Sequence, residues 1–150
     1  MAEIEEQART GKLPLIHIEC HGAEEKNGGL SLADHSLVSW KELTPYIQSI
    51  NVKSKVSLFL VIAACFGADA QWMGGFAGFK RAPFYALIGP KEKLMPRELL
   101  NVFKAFYEEF LNTLDISEAL MDANTEVRKF ENSIQIVCAE EIFDFSAANA

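Results

Sequence analysis

A chain of 150 residues, 49% hydrophobic and 23% charged, has the composition of one folded domain with a core of its own and not of a disordered tail. Its net charge of −7, with no basic cluster larger than Lys91 and Lys93, argues against a nucleic-acid partner, which needs a basic face to neutralise phosphate. Cys20, Cys65 and Cys138 cannot all pair, Glu3, Glu5 and Glu6 open the chain where a signal sequence would be basic, and no apolar run reaches the length of a membrane span. Together these features predict a cytoplasmic protein with no membrane partner.

In chain order, residues 2 to 11 read as a short helical tail stopped by Gly11. Leu13 to Cys20 reads as a strand, with Pro14 tolerated only near its start. That strand ends at His21-Gly22, and the polar, glycine-rich run Ala23 to Gly29 reads as loop. Gly29 to Leu32 and Ser36 to Ser39, on either side of Ala33-Asp34-His35, predict a small hairpin.

The next helix has two candidate starts. Ser39-x-x-Glu42 fits a capping box, but places Pro45 in the second turn. Thr44 as N-cap with Pro45 at the first helical position is the cleaner local pattern. Either way the helix ends near Asn51. Leu58 to Ala64 is then an unbroken apolar run, which predicts a strand buried on both faces and ending at Cys65.

After Gly67, a loop is expected through Gly74, Gly75 and Gly78, with Trp72, Phe76 and Phe79 between them. Phe84 to Gly89 predicts a third apolar strand, and Pro96 opens the most regular helix. Leu99, Phe103, Phe106, Phe110 and Leu114, with Leu100, Tyr107 and Leu111, form one broad apolar stripe at helical spacing, expected to be core packing. Ser117 or Asp115 caps a further helix to about Asn124, Ser133 to Cys138 is a fourth strand with Cys138 buried, and the end beyond Phe145 frays. Strands alternating with helices predict a single α/β domain, a three-layer α/β/α sandwich with a mostly parallel sheet.

Two strands each end in a reactive side chain, His21 and Cys65. A cysteine attacks as thiolate, and a neighbouring imidazole is the common means of generating one. The carboxyl ends of adjacent parallel strands face the crevice where ligands bind, so the topology can bring the two together. Gly22 admits a substrate close to the backbone, and the N–H groups of Gly22 and Cys65 are candidate oxyanion donors. Gly67 is expected to let the chain turn sharply after the cysteine.

Strand-His-Gly followed by strand-Ala-Cys resembles the caspase-like cysteine peptidases. Ala63-Ala64-Cys65-Phe66-Gly67, with His21 upstream, is similar to the caspase signature of Gln-Ala-Cys-x-Gly with histidine about fifty residues earlier. Phe106-Tyr107 and the segment Ser117 to Ala123 resemble the later helices of CHAT domains, caspase-like domains found mostly in bacteria, and the likeness runs over about residues 14 to 124.

The resemblance implies a thiol protease of caspase-like fold: His21 the general base, Cys65 the nucleophile, Gly22 and Cys65 N–H the oxyanion donors, with no metal or cofactor. Residues 1 to 150 would form one such domain, shortened ahead of its histidine strand. Implied partners are a protein substrate and a regulatory protein or second copy. Where caspases carry Gln and metacaspases Asp, this chain has Ala63, so neither P1 preference (for the residue on the acyl side of the cut) carries over. Asp69 is a candidate substrate-binding acid.

The rival readings are a non-catalytic caspase-like interaction module and a small-ligand-binding α/β protein. His-Gly-Ala-Glu-Glu speaks against the second, putting acids where phosphate would sit. His17, Cys20, His21 and His35 lack a recognised zinc spacing. By alternation His17, Glu19 and His21 share one strand face, Cys20 the other, and Glu19 is expected to make structural hydrogen bonds.

Overall fold

The computed structural model describes residues 15–23, 28–55, 57–76 and 82–126, and the backbone alone of Ile134–Cys138. The expected tail over residues 2 to 11, Gly78 and Phe79, the fraying end beyond Phe145 and the burial of Cys138 lie outside the described residues. The fold is mixed α/β. β1 (Leu15–Glu19), β5 (Phe59–Ala63) and β6 (Ala86–Pro90) run parallel, and β7 (Ile134–Cys138) lies antiparallel against β6, in the order β1-β5-β6-β7.

β5 is the centre of the molecule. Successive side chains of a strand point to opposite faces. Leu58, Leu60, Ile62 and Ala64 accordingly enter one core cluster, and Val61 and Ala63 the other. The first cluster is closed by α1 (Trp40–Lys53) through Trp40, Ile47 and Ile50. The second is closed by α3 (Pro96–Thr113) through Val102, Phe103 and Phe106, and by α4 (Ile116–Glu126) through Ala119 and Ala123. β1 is covered unevenly: Ile16, Ile18 and Cys20 pack against the first cluster, while on the other face Leu15, His17 and Glu19 stay largely exposed, with His17 alone reaching Phe103 and Tyr107 of the helix over the second cluster.

The capping box is the start that α1 takes. Ser39 Oγ accepts the Glu42 N–H at 3.3 Å, and Glu42 Oε2 accepts the Ser39 N–H at 2.9 Å. Pro45 therefore lies inside the helix and forfeits one i→i−4 bond. A start at Thr44 would give up more, because Trp40 is fully buried from the first turn. Thr44 instead sends its hydroxyl back to the Trp40 carbonyl at 2.7 Å. In the last helix Asp115 is the cap, its carboxylate accepting the N–H groups of Ser117 and Glu118 at 2.7 and 3.1 Å.

Three expectations need correction. The first strand does not run on to His21-Gly22: β1 stops at Glu19, and His21–Ala23, including the first residue of the expected loop, is β2, which pairs antiparallel with β3 (Gly29–Ser31). β3 pairs in turn with β4 (Leu37–Ser39), the expected hairpin, in a second small sheet. Burial of Leu30 in the first cluster draws this sheet onto the core. The stretch after Gly67 is helical, a 3₁₀ turn over Gly67–Trp72 followed by α2 (Met73–Phe76), because Ala68, Ala70 and Met73 are buried there. The α3 stripe is narrower than its periodicity suggests, with Leu100, Leu111 and Leu114 about 70% exposed.

Asn51 ties α1 to the sheet. Its side chain donates to the Ala82 carbonyl at 2.9 Å and accepts the Leu58 N–H at 3.0 Å, all within the interior. Asn51→Leu would strand two buried backbone groups at a cost of about 1–3 kcal/mol each. A lowered guanidinium midpoint at unchanged slope is the expected denaturation result.

Candidate active site

β1 and β5 pair in the register Leu15↔Phe59 to Glu19↔Ala63; the ladder stops there, and two residues on, His21 opens β2 while Cys65 follows β5. The two segments touch through their backbones. A Cβ on Gly22 would stand 1.7 Å from the Cys65 carbonyl oxygen and 3.0 Å from its nitrogen, so only glycine fits beside the cysteine. The expected close approach at Gly22 is thus made first to the chain's own Cys65.

His21, Cys65, Cys20 and Ala63 line one cleft of about 640 Å³, closed on its far side by Leu94 and Met95 ahead of α3. His21 is exposed and Cys65 half-buried, so both open to solvent through this cleft. The Cys65 thiol donates to the Leu94 carbonyl at 3.6 Å, in the manner of a neutral S–H. A thiol has one proton, so releasing it to His21 requires leaving this carbonyl.

The turn that presents Cys65 is built differently from the expectation. Phe66, not Gly67, takes the left-handed conformation, with φ 58° and ψ 25°. For a bulky residue this costs of order 1–3 kcal/mol, and such strain gathers at functional sites. Its N–H reaches the Glu92 carbonyl at 3.3 Å. Gly67 serves close packing instead: a Cβ there would lie 2.3 Å from the Ile62 carbonyl oxygen, and one on Gly89 2.7 Å from the Gly67 carbonyl carbon.

Asp69 sits in the 3₁₀ turn and does not line the cleft; partial burial pushes its carboxyl above the usual range. The acid that does line it is Glu19. Its signal in the sequence was its position two residues before His21 on the same strand face. Cys20 turns its side chain toward the first core cluster, and burial, with Glu19 beside it, pushes its thiol up. Among the described residues no three His, Cys, Asp or Glu side chains gather as metal ligands would.

A second, smaller cavity of about 240 Å³ continues from the cleft, sharing Glu19, Ala63 and Leu99 with it. On its wall the Tyr107 hydroxyl and His17 Nδ1 are 2.6 Å apart, and the His17 ring meets Phe103 edge-on. Burial holds His17 below its ordinary value of 6.5, opposed by Glu19, and pushes Tyr107 up to about 12. An NMR titration should place the His17 midpoint below 6.5. The unfolded chain then binds the proton more readily than the folded one. The residue leaves stability untouched above 6.5 and lowers it as pH falls through the folded midpoint, by a small amount because the ring is partly in water.

Among the described residues no helix is long and apolar enough to cross a membrane. No protein-family model matches this chain, and no curated protein matches it.

Proposed function

We propose that this protein is a caspase-like cysteine endopeptidase of the CHAT type, cleaving a protein substrate with Cys65 as nucleophile and His21 as general base. The observation that carries the reading is the cleft that both residues line, where Gly22 of β2 meets the backbone of Cys65 just past β5. In the reaction His21 takes the thiol proton as the Cys65 sulfur attacks the scissile carbonyl. The Gly22 and Cys65 N–H groups receive the oxyanion. His21 then gives the proton to the leaving amine, and water hydrolyses the thioester to return the free thiol. None of these steps draws on a metal or cofactor.

The three-layer α/β/α form belongs to the same proposal, supported by α1 on one face of β5 and α3 with α4 on the other. So do a cytoplasmic setting and control by a regulatory partner or second copy. The rival, a non-catalytic interaction module of the same fold, has one observation in its favour: the Cys65 thiol is engaged with the Leu94 carbonyl.

A peptide acyloxymethyl ketone separates the two. It should label Cys65 in preference to Cys20 and Cys138, located by peptide mass mapping. Equal labelling of the three cysteines would mean plain thiol accessibility and overturn the peptidase reading.

A further inference from the structure

We infer that the cavity continuing from the catalytic cleft is the pocket for the P1 side chain and that it selects a large uncharged one, aliphatic or aromatic. This rests on the proposed peptidase function. Three observations carry it.

The cavity shares Ala63 and Leu99 with the cleft, so a substrate whose carbonyl meets Cys65 has this hollow as the adjoining place for a side chain. Its most buried lining residues are Ala63 and Phe103, 2% and 5% exposed, which makes the floor apolar. The charged groups lie at the rim. Glu19 stands where the two cavities meet, and exposed Lys104 pairs with Glu108 at 3.7 Å.

A charged P1 group carried to that floor would be desolvated beside Ala63 and Phe103, while Glu19 and Lys104, the carboxylate and ammonium of the lining, are both exposed and would pair with it only through solvent screening. An acidic side chain would also pass Glu19, and a basic one Lys104. A Leu, Met or Phe side chain loses nothing polar and buries its surface against Leu99 and Phe103. The small side chain of Ala63 leaves the room that a longer residue would fill.

The test uses tetrapeptide acyloxymethyl ketones that differ only at P1, carrying Leu, Met, Phe, Ala, Asp or Arg, with the rate of Cys65 labelling as readout. The Leu, Met or Phe probes should exceed Ala, Asp and Arg by about tenfold or more, the discrimination a filled apolar pocket provides. Fastest labelling by the Asp or Arg probe, or equal rates across the series, overturns the pocket assignment and leaves the peptidase standing. If no peptide probe labels Cys65 although iodoacetamide does, the peptidase reading itself falls and the pocket with it.

Leu100→Asp supplies the second arm, since Leu100 lines the cavity but is 68% exposed, and its replacement does not threaten the core. It should shift the ratio of Arg-probe to Leu-probe labelling about tenfold toward Arg. An unchanged ratio places P1 elsewhere.

Discussion

Replacing His21 by alanine should slow acylation of Cys65 by a peptide electrophile about 10²- to 10⁴-fold, the usual contribution of a positioned general base. Thermal unfolding should not change, because His21 is exposed and its strand is held by backbone pairing to β3. The contrast is what makes the variant informative. A structural histidine would shift the melting temperature and leave the labelling rate nearly alone, whereas a base shifts the rate and its pH profile. The Cys65 thiol rests against the Leu94 carbonyl, so without His21 nothing in the proposed mechanism draws its proton off. Labelling of the variant at the wild-type rate would remove His21 from the mechanism.

Gly22→Ala should be the most damaging addition of a single carbon within the site. The new Cβ would meet the Cys65 carbonyl oxygen at 1.7 Å, and backbone, unlike the end of a side chain, has no rotamer to retreat into. β2 and the segment after β5 must part, at about 4 kcal/mol or more, the range reserved for buried clashes of this kind. Chemical denaturation reads the stability loss. Labelling of Cys65 should fall with it even under conditions where the variant is folded, because parting the two segments displaces the nucleophile from His21. Wild-type stability in Gly22→Ala would mean that the two segments are not in contact.

The elements legible in the sequence are those where one local signal dominates. β5 announces itself because both of its faces are buried, and α3 because Pro96 and its repeating phenylalanines agree on start and period. That His21 and Cys65 line one cleft was legible only in part: β1 and β5 do run side by side and parallel, but His21 opens β2 and does not end β1.

What escaped is decided by tertiary packing. Periodicity gives the direction of the α3 stripe but not its width, which is set by how far the sheet extends beneath it; hence Leu100, Leu111 and Leu114 lie outside. Local pattern preferred Thr44 as the helix start, but burial of Trp40 overruled it. Glycines at 74 and 75 suggested loop, yet buried Ala68, Ala70 and Met73 pin that stretch into helical turns. Asp69 is close to Cys65 in sequence but does not line the cleft, while Glu19, on a neighbouring strand, does.

The three glycines at 22, 67 and 89 divide the site into two regimes of tolerance. Each would bring an added Cβ against backbone, so the turn carrying Cys65 is wedged between β2, β5 and β6. On the opposite wall, Leu99, Leu100 and Phe103 project from a helix that the rest of the sheet would hold in place through Val102 and Phe106. In the proposed peptidase, chemistry and selectivity are therefore separately mutable. Redesign or natural divergence can rewrite the wall of α3 residue by residue, while the strand ends that hold the proposed nucleophile accept almost nothing.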